Sequence, residues 1–293
     1  IGICEHADVL LNISAVNPIR PWFGDIPIRA LIDTDPAFTQ IRHLEDPSAR
    51  QLALKHNVFF SFAENFGKEG CVVPDDGLPW QATRQPVILQ AWPVVPPPKD
   101  GNFTTVMQWD SYKVREHNGI SYGMKSGSFE PYLELPRYTD EGLEIALGSE
   151  TAPRSLLVEN GWLLSDPLEV TRDLNSYQQY IQRSKAEFSI AKHGYVVSHS
   201  GWFSERSANY LASGRPVLVQ ETGFSDWMNT GAGVLVFNSP NDAIAGIEQI
   251  QQNYALHCEA AQAVAEAYFD SSTVLTVLLE RALRGTGCKS PTY

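Results

Sequence analysis

Short apolar runs that end abruptly in polar residues recur along this chain and limit its fold more than any other feature. "DVLLNIS", "IRALIDTD" and "VFFSFAEN" come first, and beyond residue 100 come "NFTTVMQW", "LEIALG", "WLLS", "EFSIA", "PVLVQ" and "GVLVF". A strand apolar on both faces must be covered on both faces, which is the condition of a parallel sheet between helical layers. Helix patterns such as "PSARQLALKH", "APRSLLVEN" and "SYQQYIQRSKA" lie between the runs. Strand, helix, strand in alternation predicts an α/β protein with doubly wound parallel sheets.

The stretch 72–101, "VVPDDGLPWQATRQPVILQAWPVVPPPKDG", is too rich in proline for more than a short edge strand and reads as an interdomain connection. A length of 293 residues favours two domains. We expect one Rossmann-like domain over 1–98, ending in a linker over 71–100, and a second over 99–293. Ligands of such folds bind at the carboxyl ends of the strands, so the two sheets should face each other across a cleft. The chain opens on neither a methionine nor a signal pattern and enters a strand by Val9, so the first domain is expected to be incomplete at its start.

The charge balance is 22 basic against 34 acidic residues, net −12, without a Lys/Arg run, so nucleic acid is not an expected partner. No window approaches the roughly 18 apolar residues of a spanning helix. The four cysteines, Cys4, Cys71, Cys258 and Cys288, form no C-x-x-C pair, which argues against zinc and a redox dithiol. We expect reduced thiols in a cytoplasmic protein, with a Cys258–Cys288 disulfide as the alternative.

The most informative stretch is "SHSGWFSERSANYLASGRPVLVQETG", 198–223. Ser204 can cap a helix over 205–213 that Gly214 and Pro216 stop. The free N–H groups and positive dipole of such a helix start suit phosphate. Arg206 can add a bidentate fork, and Glu205 can accept from the two vicinal hydroxyls of a ribose. The plain alternative is that Glu205 complements the dipole and pairs with Arg206 on the surface. Three other loops fall at strand ends: Lys192-His193-Gly194, Thr222-Gly223, and Gly148-Ser149-Glu150-Thr151. Glycine there lets backbone approach a ligand, and the last loop is a helix entry that can meet a diphosphate.

The run from "EFSIAKHG" through "GWFSERSANYLASGRPV", "QETGFSDW" and "GAGVLVF" to "SPNDAIAGI" resembles the nucleotide-binding domain of GT-B glycosyltransferases of the group-1 type. Upstream, "FTTVMQW", "GMKSGSFEPYLELP", "LEIALGSETAP" and "NGWLLSDPL" resemble the same domain in register, so the likeness covers about 102–285. The first hundred residues share only the α/β grammar. The resemblance implies a GT-B fold and transfer of a sugar from a nucleotide diphosphate sugar to an acceptor held by the first domain. It also implies a donor site on Lys125, Gly148, Glu150, Thr151, Lys192, Gly194, Ser204, Glu205, Arg206, Ser207, Asn209, Thr222 and Gly223. There are departures. The family's paired glutamates, with seven residues between them, fall here on Gly201 and Asn209, so Glu205, one turn earlier, is the candidate for the ribose. The family's phosphate-clamping arginine has no counterpart in "QWDSYK", which leaves Lys113 or Arg206 to support Lys125.

Asn12, Asp33, Asp35, Glu64 and Asn65 end strands of the first domain and should face the cleft. Asp33 or Asp35 is the expected acceptor contact or base, and His193 can donate to a phosphate or a sugar hydroxyl. "DTDP" also reads as an ordinary helix entry. Trp202 and Trp227 are the candidates for sugar stacking, the other tryptophans being expected core or interface fillers. The donor half lacks a D-x-D pattern, and the resemblance implies transfer without a metal or other cofactor, basic groups and a helix dipole stabilising the leaving diphosphate. Two other readings are an epimerase acting on the nucleotide sugar and water alone, and a non-catalytic sugar-nucleotide-binding protein.

Overall fold

The computed structural model describes residues 2–98 and 100–285. Its first sheet sets β1 (Val9–Ile13), β2 (Ile28–Asp33), β3 (Val58–Ser61) and β4 (Trp80–Ala82) side by side in chain order, every pair parallel. β3 is wholly buried and β2 nearly so, as strands apolar on both faces require. Two helices, α1 (Phe38–Glu45) and α2 (Pro47–Ala53), carry the chain from β2 to β3. The sequence pattern predicts only the second. α1 has no capping side chain at Ala37; Gln40 Oε1 accepts from the Ala37 amide at 2.8 Å while its Nε2 donates to Asp33 at 3.0 Å. An opening held from inside the helix leaves no cap signal to read.

The second domain begins with β5 (Phe103–Gln108) and a hairpin of β6 (Arg115–His117) with β7 (Ile120–Tyr122). Next come α3 (Lys125–Phe129), β8 (Leu143–Gly148), α4 (Arg154–Glu159), β9 (Leu163–Ser165), α5 (Pro167–Val170), α6 (Leu174–Arg183) and β10 (Ala186–Ser189). The domain continues through α7 (His193–Ser198), α8 (Glu205–Ala212), β11 (Val217–Gln220), β12 (Val234–Phe237), α9 (Pro240–Gln252) and α10 (Tyr254–Phe269). The sheet order is β12-β11-β10-β5-β8-β9, all parallel. The chain therefore builds outward from β5 to β9, returns, and builds outward the other way from β10, which puts the topological switch between β5 and β10. The stretch from Lys125 through "SFEPYLELP" forms α3 and two 3₁₀ turns rather than one continuous helix, because Pro131 and Pro136 remove amide donors.

One face of this sheet packs Phe103, Ile145, Leu147, Phe188 and Leu218, and the other Val217, Val219, Tyr210 and Leu211. Val87 and Trp92 of the Pro-rich stretch lie in that second layer. The last helix, α11 (Ser271–Gly285), returns to the first sheet, where Leu278 and Ala282 pack on Ile28, Ala30, Ile32, Val58 and Phe60. The two crossings between domains are bonded to each other: the Val87 amide donates to the Phe269 carbonyl at 2.8 Å, and the Ser271 amide to the Val87 carbonyl at 2.9 Å.

The domains also meet along a seam beside the cleft. The Asn65 amide nitrogen donates to the Gly223 carbonyl at 2.8 Å and to Asp226 at 3.0 Å. A Cβ on Gly223 (φ 90°) would lie 2.6 Å from that Asn65 nitrogen. Gly194 lies under Phe38 of the first domain, and a Cβ there would lie 2.5 Å from the ring. Both glycines are thus set by interdomain packing. Gly194→Ala is expected to cost about 1–3 kcal/mol through overpacking, read as a thermal midpoint several degrees lower; an unchanged midpoint would mean that the seam opens freely.

Candidate active site

β5 and β10 end side by side, and the segments leaving their carboxyl ends form the wall of a cavity of about 280 Å³. Thr34 and Asp35 come to it from the first domain, and Lys125, Lys192, Glu205 and Arg206 from the second. The loop after β5 is fastened to the loop after β8: the Ser149 hydroxyl lies 2.9 Å from Gln108 Oε1 and accepts from the Trp109 amide at 3.1 Å. α8 starts at the same end of the sheet. Its cap is Ser204, whose hydroxyl accepts from the Arg206 amide at 3.2 Å, and the helix covers the predicted span to within one residue.

Each charged group in the cavity is held differently. The Arg206 fork turns inward to the fully buried Glu187, with further bonds to the Val106 carbonyl at 2.8 Å and the Ser189 hydroxyl at 2.7 Å. Glu205 beside it is exposed and has neither a hydrogen bond nor an ion pair among the described residues, so the two do not pair on the surface. Lys192 Nζ lies 2.9 Å from Asp35 and 2.6 Å from the Tyr112 hydroxyl. The Asp35 carboxylate also accepts from the Tyr112 and Tyr195 hydroxyls. Burial, and next the negative Asp35, pushes the Tyr195 phenol well up, so it stays a donor.

Lys125 is the exception. Half-buried at the start of α3, it has no hydrogen-bond or ion-pair partner among the described residues. Burial, then the neighbouring Arg206, push its pKa well below the ordinary lysine value, with Glu187 opposing. Neither Glu187 nor Glu205 is in ion-pair contact with it, and the space beside it is the cavity.

Seven of the residues singled out by sequence line this cavity: Asp35, Lys125, Lys192, Trp202, Ser204, Glu205 and Arg206. Asp33 is instead buried, accepting from Thr39, Gln40 and Ser61 at 2.6–3.0 Å, and burial raises its pKa. His193 opens α7 and accepts from the Gly123 amide at 3.4 Å. Glu150 and Thr151 are exposed, and Gly148 ends β8 against the Gln108 amide group. Ser207 is buried, Asn209 bonds the Tyr177 side chain, and Thr222 donates to the Trp202 carbonyl. Trp202 lines the cavity with its ring against Tyr195, centroids 4.3 Å apart, while Trp227 lies under the Arg84 guanidinium at 4.6 Å.

Sequence reasoning missed Tyr112, Tyr195 and Glu187. A charge inside the apolar run "AEFSIA" was a legible signal, since a buried glutamate needs a cation. The two tyrosines carried none, because their importance depends on Asp35 from the other domain. Among the described residues no cluster of three or more His, Cys, Asp or Glu is placed to hold a metal, and no helix is long and apolar enough to cross a membrane. Cys4, Cys71 and Cys258 are free thiols; Cys288 lies outside the described residues.

No protein-family model and no curated protein matches the chain. Solved structures do. Anabaena Alr3699/HepE in complex with UDP-glucose matches with a TM-score of 0.57 at 15% identity, over 96% of this chain and 80% of that one. An alpha-glucosyltransferase in complex with UDP-glucose and DNA containing an abasic site gives 0.60 at 10% identity, over 94% and 80%. TarM gives 0.53 at 11% identity, over 87% of this chain and 54% of that one, so the chain spans about half of TarM's length. The likeness is one of fold: two Rossmann-like parallel-sheet domains facing across a cleft, the GT-B arrangement expected from the sequence.

Proposed function

We propose that the chain is a glycosyltransferase that moves a sugar from a nucleotide diphosphate sugar to an acceptor held against the first domain. The observation that carries this reading is Lys125, a desolvated cation without a counterion, beside the start of α8 at the switch point of the second sheet. A diphosphate supplies the missing charge, and the free N–H groups of α8 add to it. Glu205, exposed and unpaired at the same helix start, is placed to accept from the ribose hydroxyls. During transfer the acceptor hydroxyl oxygen bonds to the anomeric carbon while the bond from that carbon to the diphosphate breaks, and the hydroxyl proton passes to Asp35 or to the departing diphosphate. Lys125 and the helix start stabilise the charge that develops, a task that requires no metal. Structural neighbours solved with UDP-glucose favour UDP as the carrier. The free thiols support the cytosol as the compartment.

Calorimetry and thermal shift with UDP, GDP, TDP and ADP test the donor site. UDP is expected to raise the midpoint, and Glu205→Ala to weaken UDP by about tenfold or more, the size of a lost charged hydrogen bond, while leaving inorganic pyrophosphate unaffected. If no nucleotide stabilises the protein, the reading fails. Asn209, where the family has its ribose glutamate, favours the non-catalytic binding protein as the second reading; a protein that binds UDP-glucose yet neither transfers nor hydrolyses its sugar would be that protein.

A further inference from the structure

We infer that Asp35 is an internal stand-in for the donor phosphate: it holds Lys192, and a nucleoside diphosphate binds by taking Lys192 from it. This rests on the glycosyl-donor reading. Three groups of the second domain converge on this one carboxylate of the first: the ammonium at 2.9 Å, and the hydroxyls of Tyr112 and Tyr195. Phe38, the first residue of α1 and three positions after Asp35, lies edge-on to both tyrosines with centroids 5.1 and 5.9 Å away. One cation and two phenol donors around an acceptor are what a phosphate oxygen asks for, and Lys192, Tyr195 and Asp35 itself sit in the wall that also holds Lys125.

The carboxylate carries one charge and the diphosphate about three, spread over oxygens that reach Lys125 and Lys192 together. The stronger anion therefore wins Lys192, and the carboxylate it frees faces the acceptor side of the cleft. The arrangement sets a threshold as well. A ligand whose phosphate cannot outcompete Asp35 leaves Lys192 on the carboxylate, so the site discriminates by charge before it reads the sugar. Uridine, which carries no phosphate, is indifferent to the pair.

UDP and uridine affinities, measured by calorimetry on wild type, Asp35→Asn, Lys192→Met and the double variant, provide the test. Asp35→Asn is expected to raise UDP affinity about tenfold by freeing Lys192, and to leave uridine unchanged. In the Lys192→Met background the same change should gain less than half as much on the logarithmic scale. A UDP affinity unchanged or lowered by Asp35→Asn overturns the inference, and so does an equal gain in both backgrounds, which would be the field of one charge without competition for the lysine. A UDP-bound structure gives a second readout if a variant fails to fold: Lys192 should leave Asp35 for phosphate, and an intact pair overturns the inference. Binding of no nucleotide to any of the four proteins sinks the donor reading and this inference together, whereas binding indifferent to Asp35 sinks the inference alone.

Discussion

Replacing Arg206 by methionine is expected to cost the fold about 3–5 kcal/mol in denaturant unfolding, the range for breaking one side of a buried ion pair. The cost is borne by Glu187. Its side chain is fully buried in β10, one of its carboxylate oxygens already lacks a partner, and Arg206 holds the other. Without the arginine a naked carboxylate remains inside a parallel sheet. The double variant Arg206→Met/Glu187→Met should recover more than half of the loss, because two apolar side chains of similar volume leave no charge to desolvate. A single variant as stable as the wild type would mean that Glu187 is hydrated or protonated and that the pair does not hold the start of α8.

Lys125→Met should move stability the other way. A desolvated cation without a counterion opposes folding, so its removal is expected to raise the thermal midpoint by a few degrees, corresponding to about 1 kcal/mol or more. The same change should weaken UDP about tenfold or more through loss of a charged contact. A residue that costs stability and supports binding belongs to function. The sign of the pH dependence comes from its lowered pKa. Between that depressed value and the ordinary lysine value of 10.5, the unfolded chain binds a proton that the folded chain lacks, so this residue makes stability rise with pH across the window. A bound diphosphate restores the proton, so UDP affinity should fall as pH rises through the same window and UDP binding should take up protons from buffer. In Lys125→Met both dependences should flatten. A variant less stable than the wild type, with UDP affinity intact, would make Lys125 a structural residue.

The fold was legible because a parallel sheet leaves its mark in most strands: β2, β3, β10 and β11 are buried along nearly their whole length and read as mainly apolar runs, interrupted by few polar residues. α8 was legible through Ser204 and Gly214, local signals at both ends. α1 was not, since its opening is secured by a glutamine within it and an aspartate before it. The site divided along the same line. Lys125, Lys192 and Glu205 sit at element starts, where position along the chain implies position in space. The direction of Arg206 depended on a glutamate from a different strand, and the company of Asp35 on a different domain. Contacts across 19 and 157 positions leave no spacing to read.

The return of α11 to the first sheet has a consequence for the order in which the molecule can be made. The strands of that sheet leave the ribosome early, yet the helix that covers Ile28, Ala30 and Phe60 is synthesised after the whole of the second domain. During synthesis this face must stay open or be shielded by something else, while the second domain, contiguous apart from the Pro-rich stretch that precedes it, can close first. Expression of the first domain alone would leave that face permanently bare, so a soluble fragment requires α11 to be grafted onto it.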